Sequence, residues 1–272
     1  MRSCAIASRR VKPSTGSTGW DEYAAFYDWE NQRTVGRRDI AFWRRFAAGV
    51  GGRALELGTG TGRVLLPLSR PASARSPKPP AVFGVDLSDA MLARARTRLR
   101  RARLPIRAAR GDIRALPYRS SSFAAVMAPY GIIQSLTSDA DLEAALAEAG
   151  RVLKKGGRLA VDLVPDLPAW SEYTNHQSLK GRRSNGAIVS LVESVRQDRR
   201  RRLTIFDQEF TERRGRARTV RRFSLTFRTL PVPEMAARIE RAGFRMEAAL
   251  GDYDGRPWDL RAEVWILIAR KT

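Results

Sequence analysis

Three carboxylates and three glycines carry the chemistry legible in this chain. Leu55 to Arg63 runs Leu-Glu-Leu-Gly-Thr-Gly-Thr-Gly-Arg, an apolar strand holding Glu56, followed by Gly58, Gly60 and Gly62 around Thr59 and Thr61. In a tight strand-to-helix turn, only glycine lets backbone approach a bound nucleoside closely. Dinucleotide-binding turns space their glycines G-x-G-x-x-G and press a pyrophosphate on the helix N-terminus. Here the glycines alternate strictly and an acid precedes them. A carboxylate there disfavours a phosphate. It suits a ligand end bearing an ammonium to meet the acid and a carboxylate to take backbone N–H groups. Asp86 closes the apolar run Val82 to Asp86, 24 positions after Gly62, about the interval at which doubly wound folds place a ribose-binding carboxylate. Asp112 follows a third run from Ile106, with Ile113 beside it, placed to accept from an adenine amino group. The glycine run alone also fits an ordinary turn. Two strand-ending acids behind it weigh against that.

These residues need a particular set of elements to hold them. Arg53-Ala54-Leu55 and Val64-Leu65-Leu66 fit a buried strand and the first turns of a helix on either side of the glycines. Ser88 is a good N-cap for a helix through Met91, Leu92 and Leu99. Phe123 to Ala128 is a fourth strand, and Ala187–Val195, Leu203–Phe210 and Val220–Phe227 alternate with the period of antiparallel strands. Trp170, Tyr173 and His176 lead into them through a loop. A helix over Pro233–Ala242 and strands over Phe244–Leu250 and Ala262–Ala269 close the chain. The length of 272 residues can bury a substantial core, and no run approaches the eighteen or so apolar residues of a membrane helix. One cysteine, Cys4, and one histidine, His176, exclude by count a disulfide framework, a metal site of the zinc type and a Cys-His nucleophile pair. His176 is kept as a candidate base, with a solvated loop histidine as the plainer alternative.

Glu56 to Gly62, Val85-Asp86-Leu87-Ser88 with Met91-Leu92, and Gly111-Asp112 together resemble the first three motifs of class I S-adenosylmethionine-dependent methyltransferases. Ala144 to Asp162, with Lys155-Gly156-Gly157, is similar to the helix, glycine turn and fifth strand of that fold. In detail the chain most resembles the small-molecule branch, with an aromatic N-terminal helix (Tyr23, Phe26, Tyr27, Asp28, Trp29) and a late Gly251 to Gly255 segment. The resemblance implies an α/β doubly wound fold with a mostly parallel seven-stranded sheet, a reversed final hairpin and a small antiparallel lid inserted after strand five. It implies S-adenosylmethionine as cofactor, held by Glu56, Gly58, Thr59, Gly60, Gly62, Asp86, Leu87, Met91, Asp112, Ile113 and Pro129. Residues 20–165 would form the cofactor-binding core, 166–230 the lid and 231–272 the end of the core, behind a flexible tail over 1–19. The tail resembles no secretion signal, so a soluble, cytoplasmic protein is expected, with oligomeric state left open.

After the fourth strand, relatives that methylate adenine or glutamine amides carry an Asn or Asp, two prolines and an aromatic. This chain has Ala128-Pro129-Tyr130-Gly131. Pro129 and Tyr130 still offer a backbone oxygen and an aromatic wall, with Gln134 one turn on, and Tyr23 and Tyr27 offer further faces to a fading positive charge. The balance of 50 basic against 28 acidic residues, +22 net, suits a nucleic-acid partner. Solvated arginine faces are the favoured explanation, since the clusters fall in variable segments away from the glycine loop and no RNA-recognition module is present. The expected reaction is therefore methyl transfer to a nitrogen or oxygen of a small metabolite, with Tyr27, Tyr130 and Gln134 at the reaction centre. An RNA or protein methyltransferase and a catalytically silent cofactor-binding protein are the alternatives.

Overall fold

The computed structural model describes residues 19–34, 38–71, 79–163, 172–183, 185–262 and 264–272. The sequence expectations for the tail over 1–18 and for Trp170 lie outside these residues.

Two helices, α1 (Trp20–Thr34) and α2 (Arg38–Ala48), precede a core of alternating strands and helices. The core comprises β1 (Ala54–Leu57), α3 (Leu65–Leu68), β2 (Val82–Asp86), α4 (Asp89–Arg101), β3 (Ala108–Arg110), β4 (Phe123–Ala128), α5 (Asp139–Val152) and β5 (Leu153–Leu163). Four antiparallel strands follow: β6 (Tyr173–Arg182), β7 (Ile188–Asp198), β8 (Leu203–Arg214) and β9 (Ala217–Arg228). The chain returns through α6 (Val232–Arg241), β10 (Phe244–Leu250) and β11 (Trp265–Lys271).

The main sheet has seven strands in the order β10-β11-β5-β4-β1-β2-β3, parallel from β5 to β3 and reversed at β11. This is the doubly wound, mostly parallel sheet expected, with the reversed hairpin at one edge. The order turns back beside β1, so the carboxyl ends of β1, β2 and β4 surround the crevice where such sheets bind ligands. All four residues of β1 are buried, as a central strand covered on both faces requires. Apolar clusters lie on each face, one around Leu57, Val126 and Leu146, the other around Trp43, Leu92 and Ile266. Ser88 caps α4 as expected, its hydroxyl accepting from the Met91 N–H at 3.1 Å.

Two details depart from the sequence reading. The second sheet has four strands rather than three, because Tyr173 and His176 stand on β6, an edge strand without regular alternation. Asn175 takes a left-handed φ of +51° there, and the register slips twice. Gly156 and Gly157 do not form a turn before strand five. They are a bulge within β5, where pairing with β4 skips from Leu153 to Arg158 and Gly156 takes φ +72°. The aromatic face of α1 packs on the second sheet. Phe26 lies 4.5 Å from Phe210, centroid to centroid, and Tyr23 lies 5.1 Å from Phe223.

Candidate functional site

The opposite edge of α1 is polar and is tied to the ends of the main-sheet strands. Asp21 accepts from the Ser88 hydroxyl at 2.5 Å and the Ala90 N–H at 3.0 Å, at the N-terminus of α4. Asp28 accepts from the Thr61 hydroxyl at 2.6 Å and pairs with Arg98 at 3.0 Å. Arg98 also donates to the Thr61 carbonyl at 3.1 Å. One arginine of the α4 cluster thus stands against the glycine loop itself. This corrects the expectation that all the clusters lie elsewhere: Arg98 locks α1 to the loop rather than serving a solvated face.

A first cavity lies between α1 and the strand ends, lined by Gly58, Gly60, Asp86, Leu87, Met91, Asp112, Ile113, Pro129 and Tyr130, among others. Asp86 organises its floor. Its carboxylate accepts the Gly60 N–H at 2.7 Å on one oxygen and the Ser88 N–H at 2.9 Å on the other. Burial holds this carboxyl above its usual range, opposed by those N–H donors. Gly60 takes φ +53°, and a Cβ built there would stand 3.8 Å from the Tyr27 ring, in the gap between loop and helix. At Gly58, where φ is +63°, a Cβ would lie 2.4 Å from the Ile132 side chain, so any larger residue would have to displace it. Asp112 lines the cavity, yet both its oxygens also accept from Arg114, at 3.0 and 2.6 Å.

Glu56, Thr59 and Gly62 are not on the cavity wall. They stand behind it, where the Thr59 hydroxyl donates to Glu56 at 3.0 Å and Gly62 faces Ala95 of α4. Burial pushes the Glu56 carboxyl up to about 8, against the Thr59 hydrogen bond and the nearby Arg63 charge. Because the folded state holds this proton more tightly than the unfolded chain, whose ordinary value is 4.5, stability is fully present below about pH 4.5 and is lost as pH climbs toward 8. The slope is about 1.4 kcal/mol per pH unit where the carboxyl is protonated folded and ionised unfolded. Glu56→Gln should therefore gain thermal stability over the parent progressively from pH 5 to pH 8. A melting-temperature difference independent of pH across that range would contradict the assignment.

Tyr27, Tyr130, Trp20 and Phe227 line both this cavity and a second one, of about 310 Å³, between α1, the second sheet and the turn after β4. Gln134 is buried and lines the second cavity only. Tyr130 is held in a left-handed conformation, φ +60°, followed by Gly131 at +64°. Two residues that the sequence reading did not single out secure this turn: the Gly131 N–H donates to Asp162 at 2.8 Å, and the Tyr253 hydroxyl donates to the other Asp162 oxygen at 2.8 Å. The late Gly251 to Gly255 segment thus props the turn through Tyr253. Arg63, clamped by Asp39 at 2.9 and 2.6 Å, sits 5.2 Å from the Tyr130 ring centre. Desolvation pushes the Tyr130 phenol up to about 12, although 46% of that residue is exposed, and pushes the Tyr27 phenol higher still, so both stay protonated at neutral pH. His176 lines neither cavity. It is exposed on β6 with its ring edge-on to Tyr173 at 5.8 Å, which removes it as a candidate base.

Residues 54–157, which carry the glycine loop, Asp86, Asp112 and the Tyr130 turn, match the methyltransferase domain family. The chain carries a class I S-adenosylmethionine-dependent methyltransferase domain. It is 35% identical over 154 residues to the demethylmenaquinone methyltransferase of Thermus thermophilus, covering 55% of this chain and 66% of that one. It is 32% identical over 126 residues to the ubiquinone/menaquinone biosynthesis C-methyltransferase UbiE of Geobacter sulfurreducens, covering 44% and 46%. The matches thus span about half to just under two thirds of these relatives' lengths. Among solved structures, the CcbJ methyltransferase of Streptomyces caelestis superposes with a TM-score of 0.72 at 19% identity, covering 96% of this chain and 98% of that one. The sugar N-methyltransferase KedS8 of Streptoalloteichus gives 0.71 at 19% identity over the whole of both chains. At these identities the likeness is one of fold.

The first cavity fits S-adenosylmethionine. Its floor is a carboxylate anchored by two N–H groups, and its loop leaves open at Gly60 the space a side chain would fill.

Proposed function

We propose that the protein methylates a nitrogen or oxygen of a small metabolite, with S-adenosylmethionine in the first cavity and the acceptor in the second. The observation that carries this is the junction of the two cavities at Tyr27 and Tyr130, under a sheet that roofs a space of metabolite size. Asp86 would accept from the ribose hydroxyls, Asp112 and Ile113 would border the adenine, and Gly58, Gly60 and Pro129 would offer backbone to the amino-acid end. The bound cofactor supplies an electrophilic methyl group on a sulfonium.

The chain's own contribution is position and dryness. Tyr27 and Tyr130 present ring faces where positive charge fades, and their protonated hydroxyls are donors rather than bases. Gln134 offers an amide to the acceptor from the second cavity's wall. α1, held to the loops through Asp21 and Asp28, lines both cavities and would shield the reacting atoms from water once the ligands fill them. Among the described residues that line the second cavity there is no histidine, lysine or arginine. An acceptor that presents a free lone pair needs none of them for deprotonation. Holding it in line with the methyl group then supplies most of the acceleration.

The quinone C-methyltransferase relatives support the cofactor half of this reading. The family match ends at residue 157, before the second sheet, and omits α1, so it leaves most of the acceptor cavity outside. An RNA substrate would use the exposed arginines at the β8–β9 tip. Changing Arg213, Arg214, Arg216 and Arg218 together to Gln should leave small-acceptor turnover within a few fold, because exposed charges contribute little individually. Tight RNA binding whose log affinity against log salt becomes shallower by roughly three to four units in this variant, with methyl incorporation into that RNA, would overturn the small-metabolite assignment.

A further inference from the structure

The second cavity inverts the charge of the protein around it. The chain carries +22 overall, yet the described charged residues on this wall are two carboxylates, Glu30 of α1 and Glu193 of β7. One amide joins them. The Gln208 Nε2 on β8 donates to Glu30 Oε1 at 3.0 Å and to Glu193 Oε2 at 2.7 Å. Each carboxylate also takes a phenol, Tyr23 on Glu30 and Tyr173 on Glu193. With its NH2 group committed to two acids, the other arm of the Gln208 amide is fixed. Gln208 is 4% exposed and lines the cavity, and its Oε1 has no hydrogen-bond partner.

An anionic acceptor would be repelled here, and a neutral one can donate hydrogen bonds but brings no charge to offset the two carboxylates. Two carboxylates gathered against aromatic walls repel each other and pay for desolvation without a counter-charge. An ammonium or guanidinium answers both needs. It pairs with the carboxylates that the Gln208 amide holds together, and it meets the aromatic residues Trp20, Tyr23, Phe206 and Phe227 that line the same space. Glu30, Glu193 and Gln208 line only the second cavity, whereas Tyr27 and Tyr130 border both. The cation would thus sit on the wall away from the cofactor. Carboxylates on the reacting nitrogen would keep it protonated and remove the lone pair that methylation needs.

We propose that the acceptor carries a cationic group, an ammonium or guanidinium distinct from the atom that is methylated, and that Glu30, Gln208 and Glu193 form its recognition site. This rests on the assignment of the second cavity to the acceptor. The cationic site deepens that assignment by naming the substrate class, an aminated small molecule with its nucleophile at the opposite end.

The probes are cyclohexylamine, a cation at neutral pH, and cyclohexanol, a neutral molecule of the same shape. Each would be titrated into the whole protein saturated with S-adenosylhomocysteine, following tryptophan fluorescence. Cyclohexylamine should bind at least tenfold more tightly than cyclohexanol, with an affinity within threefold of that measured without S-adenosylhomocysteine. In Glu193→Gln and in Gln208→Leu that preference should fall below threefold, while S-adenosylhomocysteine binding stays at the parental value and reports an intact fold. Equal affinity for the two probes, or a preference that survives both substitutions, would overturn the cationic site. Competition between cyclohexylamine and S-adenosylhomocysteine would also overturn it, by placing the cation in the first cavity. If S-adenosylhomocysteine fails to bind the parent protein, it is the underlying two-cavity reading that falls.

Discussion

Gly60→Val should abolish cofactor binding, by a hundredfold or more in affinity, and leave the seven-stranded sheet folded. Gly60 holds φ +53°, a left-handed conformation that costs an L-residue roughly 1–2 kcal/mol and a β-branched one more. The Cβ itself would stand in ordinary contact with Tyr27, at 3.8 Å. The two γ-methyl groups beyond it would occupy the gap between loop and helix that the first cavity needs. The Gly60 N–H also donates to Asp86 at 2.7 Å, so a loop that shifts to relieve the strain pulls away from that carboxylate. The β1 and β2 strands that flank the loop keep their buried pairing in either case. Thermal unfolding should therefore move by only a few degrees while calorimetric titration with S-adenosylhomocysteine goes flat. A variant that titrates like its parent would reduce the glycine run to an ordinary turn.

The two halves of the site differ in how far they could be read from the chain. The cofactor half is a set of local strings, because Gly58, Gly60, Asp86 and Asp112 all sit at strand ends within a few residues of the apolar runs that place them. Period and spacing are enough to align them along one edge of the sheet. The acceptor half has no such string. Glu30, Glu193 and Gln208 come from a helix and two strands far apart in sequence. Each sits in a pattern in which a polar residue normally marks a solvent face. Only the packing of α1 against the second sheet, through Phe26, Phe210 and Phe223, turns those polar positions inward. Asp162 was hidden similarly, as an acid inside an apolar strand whose partner, Tyr253, follows after the entire second sheet. β6 escaped notice because an edge strand with two register slips shows no alternation to find. His176, singled out for its chemistry, owes its exposed position to that strand.

Asp86 tests the account most directly, because one carboxylate is asked both to hold the loop and to receive the ribose. Its oxygens each accept one N–H, from Gly60 and Ser88, and a carboxylate has further lone pairs for two hydroxyls. Hydrogen bonds to a charged group contribute roughly 1.5–3 kcal/mol each, so losing two of them corresponds to about a hundredfold or more in affinity. Asp86→Asn keeps the shape and the loop acceptor on one arm, and should lose less than Asp86→Ala. The deciding measurement is a calorimetric titration of S-adenosylhomocysteine into the parent protein and into Asp86→Ala, side by side, with circular dichroism to verify the fold. One ligand bound per chain in the parent, weakened at least a hundredfold in the folded variant, is the predicted result. Equal affinities in the two proteins, or no binding to the parent, would contradict the assignment of this crevice to S-adenosylmethionine.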